Sequence, residues 1–165
     1  MFIYNLILYT ISPYIIIKLI IEMIKRKSGI LFLAQRLGLR LRKSNESVIW
    51  IHAASVGEAR IALNVYKGLS RDLPNEKFLI TTNTSPSKLI IPEQDNLYHQ
   101  YMPVDWFLST QRMIKAINPK ICILIETELW PNLVSICKHK KIPILVANAR
   151  LSKKTINSPK FIRDI

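Results

Sequence analysis

Five short apolar runs, most of them separated by stretches of helical period, constrain this chain more than any other feature. They are Val48–Ala53, Lys77–Thr82, 97–102, 120–125 and 142–147. Rich in Ile and Val, they do not alternate cleanly with polar residues. That pattern predicts strands buried on both faces, hence a parallel sheet covered by helices. Ala62, Val65, Tyr66, Leu69 and Leu73 recur at helical spacing, with Arg60, Asn64, Lys67 and Arg71 on the opposite side. Two more helices are expected, one over 105–117 ended by Asn118-Pro119, and one over 131–141. Pro131 suits a first helical turn, where its missing N–H costs nothing. The alternation predicts a doubly wound, Rossmann-like α/β domain.

A chain of 165 residues with 49% apolar content holds one domain with a real core and is not of a disordered composition. Its four glycines, at 29, 38, 57 and 68, form neither GxGxxG nor GxxxxGK, so no dinucleotide or ATP cofactor is expected. Cys122 and Cys137 are too far apart for a CxxC pair and read as small buried hydrophobes in a reduced, cytoplasmic setting. His52, His99 and His139 are scattered without ligand spacing, so no metal site is expected.

The formal charge is +13, from 24 basic and 11 acidic residues, which asks for an anionic partner. Lys25, Arg26, Lys27, Arg36, Arg40, Arg42 and Lys43 form one cluster, and a second runs from Lys138 to Arg163. Aromatic residues do not interleave these clusters, so nucleic acid is not the expected partner. The first cluster comes after residues 2–21, which carry one charge, Lys18, together with Asn5 and Pro13. Some 20 helical residues at about 1.5 Å each reach roughly 30 Å, the thickness of a bilayer's hydrocarbon core. Pro13 would kink such a helix, so a kinked span and a helix lying in one leaflet both stand. Lys25-Arg26-Lys27 would hold the downstream chain on the cytoplasmic side.

Four loops carry the candidate chemistry, each after a strand, at the sheet edge where open α/β folds bind ligands. Ser55-Val56-Gly57-Glu58 reads as a capping box, Ser55 accepting from the Glu58 N–H and Glu58 reaching back to the Ser55 N–H. The same carboxylate, ionised at a helix start, also suits a general base. Glu126 and Glu128 flank Thr127, so an extended backbone would turn both to one side. One of them could equally cap the next helix. Thr81-Thr82-Asn83-Thr84-Ser85 offers hydroxyls, as turn residues or as substrate contacts. After the last strand comes Asn148-Ala149-Arg150-Leu151-Ser152, where Arg150 could grip a phosphate or belong to the basic surface.

Taken together, the apolar amino terminus, Arg36-Leu37-Gly38, His52-Ala53-Ala54-Ser55-Val56-Gly57-Glu58, Thr81-Thr82-Asn83-Thr84, Glu126-Thr127-Glu128-Leu129-Trp130-Pro131-Asn132 and Ala147-Asn148-Ala149-Arg150-Leu151-Ser152 resemble the amino-terminal half of 3-deoxy-D-manno-octulosonic acid (Kdo) transferases. The resemblance runs in order over essentially the whole chain. It implies the N-terminal half of a GT-B glycosyltransferase: a membrane anchor helix over 1–27, a basic connector over 28–46, and a Rossmann-like acceptor-binding domain over 47–165. It further implies a metal-independent, inverting transfer of Kdo from CMP-Kdo to the lipid A precursor (lipid IVA) in lipopolysaccharide synthesis, at the cytoplasmic side of the inner membrane. Carried over by motif, Glu58 resembles the general base and Glu126 a residue supporting the transition state. Ser55, Gly57, Thr82, Thr84, Glu128, Asn148 and Arg150 are the expected substrate contacts. Thr82-Asn83-Thr84-Ser85-Pro86-Ser87 departs from the family's Thr-x-Thr-Pro-Thr-Gly by losing the glycine turn. The chain stops at Ile165, so the carboxyl-terminal, CMP-Kdo-binding domain is expected to be absent from it and the isolated chain inactive. The alternatives are a membrane-attached, non-catalytic module that binds phosphorylated lipid A precursor, or a decayed fragment.

Overall fold

The computed structural model describes residues 1–126 and 130–148. Three helices, α1 (Phe2–Thr10), α2 (Ser12–Lys25) and α3 (Gly29–Arg36), precede five strands. The strands are β1 (Val48–Ala53), β2 (Lys77–Thr82), β3 (Leu97–Tyr101), β4 (Pro119–Ile125) and β5 (Ile144–Ala147). They are joined by α4 (Val56–Asp72), α5 (Ser85–Lys88), α6 (Phe107–Ile117) and α7 (Pro131–His139). All pairings are parallel and the order is β3-β2-β1-β4-β5. The expected α/β class with a parallel, Rossmann-like sheet is what forms, and β1 and β2 have the expected bounds.

Central strand β1 is buried at every position, so its alternating side chains feed two separate cores. Val48 and Trp50 join Leu79, Cys122, Leu124, Met113, Ile117 and Leu133 under α6 and α7. Ile49, Ile51 and Ala53 join Phe78, Ile80, Ile123, Ala59, Ala62 and Tyr66 under α4. The small Ala59 and Ala62 bring α4 close to the sheet, and the ring of Tyr66 meets Phe78 edge-on at 5.1 Å.

The amino-terminal stretch is not one helix. It breaks at Ile11 and bends by 54°, with Pro13 in the first turn of α2. Proline there lacks the N–H that would continue the ladder from α1. Its inner face packs on the rest of the chain: Leu19 shares a cluster with Phe32, Tyr101, Val104 and Trp106. Among the described residues no single helix is long and apolar enough to cross a membrane; α1 and α2 could do so only as a bent pair. The segment expected as a connector begins with α3, which the basic composition had concealed.

Gly38 closes α3 with φ +74°, and a Cβ there would lie 2.8 Å from Ser109 Cα and 2.6 Å from Ser109 Cβ. Both the left-handed backbone and the close approach to α6 require glycine. Gly38→Ala is expected to lower stability by about 2–4 kcal/mol, read as a shift in the urea midpoint at unchanged slope.

Candidate active site

The strand order reverses between β1 and β4, so their crossovers diverge and leave a crevice at the carboxyl edge, the usual ligand position in an open α/β sheet. The register pairs His52 with Leu124, and each strand ends one residue later, at Ala53 and Ile125. The two candidate catalytic loops therefore leave the sheet side by side, one starting at Ala54 and the other at Glu126.

Glu58 lies in the first turn of α4 and is mostly buried, at 9% exposure. Ser55 caps the helix, its hydroxyl accepting from the Glu58 N–H at 3.3 Å and donating to Glu58 Oε1 at 2.7 Å. Glu58 Oε2 accepts the Ala54 N–H at 2.8 Å. The capping box thus forms with one change: the carboxylate reaches back to Ala54, one residue before the expected Ser55. Each oxygen keeps further acceptor capacity. Gly57 is exposed in the same turn, and no atom nearer than Ser55 Oγ at 3.9 Å would meet a Cβ there. Packing does not demand this glycine; its absent side chain leaves the start of α4 open to close approach.

Glu126 adopts φ +61°, and Asn148, at the end of β5, adopts φ +57°. Among the described residues the other positive-φ non-glycine positions, Lys27, Arg40, Asn118 and Lys141, lie at or near helix ends or in the connector. A left-handed glutamate after a strand is unusual, and backbone strain of this kind collects at functional sites. The Glu126 N–H donates to the Ala147 carbonyl at 2.8 Å, and Asn148 Nδ2 approaches Glu126 Oε1 at 3.5 Å. Glu126 and Asn148 thus meet at one edge. Glu128 and Arg150 lie outside the described residues.

The threonines are placed differently. Thr82 is fully buried, with its hydroxyl 2.9 Å from His99 Nε2 and 3.4 Å from the Thr84 carbonyl. Thr84 precedes α5, its hydroxyl 2.7 Å from Ser87 Oγ. The Thr82 hydroxyl thus ties β2 to β3 through His99, while that of Thr84 acts within its own loop.

Two polar residues central to this edge were not among the expected site residues. Arg36, counted there within a basic cluster, turns inward: its Nη1 donates to Asn83 Oδ1 at 2.9 Å and to the Met102 carbonyl. Burial lowers its pKa to about 10, with Glu22 acting the other way. The clue was its place two residues before Gly38. Asp105, expected inside a helix, instead lies before α6 and caps α7 from outside. Its Oδ2 accepts the Asn132 N–H at 2.9 Å and its Oδ1 the Leu133 N–H at 3.0 Å. Tyr4 and Thr110 hydroxyls also donate to it, at 3.0 and 3.3 Å. Burial raises the Asp105 pKa, while these four donors pull the other way. Asp105→Asn keeps one acceptor oxygen but turns an NH2 donor towards the other helix N–H, and is expected to cost about 2–4 kcal/mol, measured by denaturant unfolding.

Residues 32–165 match the 3-deoxy-D-manno-octulosonic-acid transferase (kdotransferase) family. The five-stranded parallel α/β sheet is consistent with a Rossmann-like, amino-terminal glycosyltransferase domain. The chain belongs to the Kdo transferase family. It is 40% identical over 109 residues to the 3-deoxy-D-manno-octulosonic acid transferase of Haemophilus influenzae, covering 65% of this chain and 26% of that protein. It is 32% identical over 158 residues to the enzyme of the same name from Rickettsia bellii, covering 94% and 38%. A third, from Rickettsia typhi, is 38% identical over 120 residues, covering 71% and 26%. The chain thus spans between about a quarter and two fifths of the length of these relatives.

Two buried imidazoles set a pH response. His52 Nδ1 lies 2.9 Å from Thr81 Oγ1, and desolvation, then Arg36, push its pKa down to about 3. Desolvation, then Lys88, push His99 down to about 3 as well. The unfolded chain takes up these protons near 6.5, whereas the fold resists them until about 3. Their contribution is therefore fully present above pH 6.5 and is lost as pH falls towards 3, each histidine steepening the profile by up to about 1.4 kcal/mol per pH unit. Urea unfolding across this window is expected to show that fall, and His52→Gln to flatten it.

Proposed function

We propose that this chain is the acceptor-binding, amino-terminal part of an enzyme that transfers Kdo from CMP-Kdo to the lipid A precursor, lipid IVA, in lipopolysaccharide synthesis. The observation that carries the reading is that the Glu58 and Glu126 loops leave neighbouring strands, β1 and β4, where the strand order reverses. Glu58 acts as general base. The acceptor hydroxyl gives its proton to a Glu58 oxygen while its own oxygen bonds to the anomeric carbon of Kdo. On the opposite face the bond from that carbon to the CMP phosphate breaks, which inverts the anomeric centre. No metal takes part. Glu126, held by its left-handed backbone and the neighbouring Asn148, supports the charge that develops in transfer.

Ser55 orients the base, and the open first turn at Gly57 gives the acceptor room. Glu128, Asn148 and Arg150 complete the acceptor contacts, and Thr82 and Thr84 shape the adjoining loop. CMP-Kdo binds to a second Rossmann-like domain of the GT-B pair. The enzyme works at the cytoplasmic side of the inner membrane. One observation favours the second reading, a non-catalytic lipid-binding module: both Glu58 oxygens already accept local hydrogen bonds.

Glu58→Gln separates the two, because glutamine preserves a capping box but is not a base. In a full-length transferase carrying this domain, the change is expected to lower kcat by about 10²–10⁴-fold while leaving the melting temperature nearly unaltered. Near-normal turnover would remove Glu58 as the base. Selective binding of phosphorylated lipid A precursor without any transfer, even by the unaltered domain joined to a donor domain, would favour the module.

A further inference from the structure

The amino-terminal helices are amphipathic in an inverted sense. Their polar side chains face the protein: Tyr4 donates to Asp105, and Asn5 and Asn132 exchange amide hydrogen bonds at 3.2 and 2.7 Å. Midway along, Ser12 accepts from the Trp106 indole at 2.8 Å, and further on Leu19 is packed in the interior cluster. The outward face is apolar, with Phe2, Ile3, Leu6, Ile7, Tyr14, Ile17, Ile21 and Ile24 exposed. The face continues past α2 through Ile30 and Leu31. Across a cleft lined by Arg26, Lys27 and Lys88 stands Leu89, which is 89% exposed.

We infer that α1 and α2 lie in the plane of an anionic membrane surface, their outer face sunk into one leaflet beside Leu89, and do not cross the bilayer. The geometry argues against a span, because the segment is fastened to the body of the protein near its start, at its bend and near its end. A crossing would drag Asp105, Asn132 and Trp106 into hydrocarbon, where buried polar groups are expensive. The charge pattern selects the lipid. Glu22 is the one acidic residue among the first 45, and it pairs with Arg26 at 3.7 Å. Lys18, Lys25, Arg26, Lys27 and Lys88 rim the apolar face, as in helices that sit at anionic interfaces. A second copy seated on this face would bring those like charges together. The inference refines the membrane placement proposed above. Its test reads lipid depth and not transfer, so the two readings fail separately.

The full chain is purified in detergent and diluted into phosphatidylglycerol-containing vesicles or pure phosphatidylcholine vesicles. Fluorophores are attached singly at Ile3→Cys, Tyr14→Cys and Ile24→Cys, the native Cys122 and Cys137 being buried. In-plane binding is expected to place all three labels at one shallow depth, quenched most by lipids labelled near the headgroup. Joint replacement of Lys25, Arg26 and Lys27 by Glu is expected to weaken binding to the anionic vesicles by about tenfold or more, and Leu89→Asp by about fivefold or more. A deep Tyr14 label with the Ile3 label at the far leaflet would overturn the inference. So would indifference to Leu89→Asp, or self-association without any preference for the anionic vesicles.

Discussion

The parallel pairing of β1 with β4 is the constraint on which the rest of the molecule depends. Because β1 is buried on both faces, successive residues of Val48–Ala53 must serve different cores. A slip of one residue would exchange Trp50 with Ile49 and Ile51 and leave neither side filled. The same pairing fixes where the strands end, and hence that Ala54 and Glu126 begin their loops together. The polar residues that β1 and β2 carry inward are tolerated because they find one another. Thr81 Oγ1 takes the Trp50 indole N–H at 2.8 Å and lies 2.9 Å from His52.

Helix starts form the second layer of organisation. Where a helix begins at the carboxyl edge, its first N–H groups lack partners inside the helix. At α4 a local residue supplies the acceptor, through Ser55 and Glu58. At α7 the local residue is Trp130, which offers no side-chain cap, and Asp105 supplies both oxygens from the loop after β3. Carboxylates at both helix starts are also favoured by the partial positive charge there. The electrostatics of the edge therefore arise from the fold's own need to satisfy its backbone.

Legible and illegible features of the sequence divide along the same line. Burial on two faces writes itself into a strand as an unbroken apolar run, so β1 and β2 could be bounded to the residue and the parallel sheet inferred. Capping is a local motif, so Ser55 and Glu58 were readable together, and only the receiving N–H differed by one position. The contacts of Asp105 and Arg36 were opaque, although Arg36 stands in the recognised Arg36-Leu37-Gly38 string. Asp105 is bonded to Tyr4, 101 residues away, and Arg36 to Asn83, 47 residues away. No local spacing encodes such a contact. The inward turn of Thr82 was hidden for a similar reason, since its partner His99 sits on another strand.

A carboxylate that caps its own helix is compatible with work as a base, and the compatibility has a physical origin. A base must be held within hydrogen-bond reach of the proton it takes, and an unrestrained glutamate loses side-chain entropy on being held there. At Glu58 the Ala54 N–H and the Ser55 hydroxyl have already fixed the side chain, so the fold has met that requirement before any acceptor arrives. The bonds from Asp105 and Asn132 to Tyr4 and Asn5 extend the same order to α1. With α1 and α2 lying in a leaflet as inferred, the beginning of α7 would be held directly beside the lipid surface.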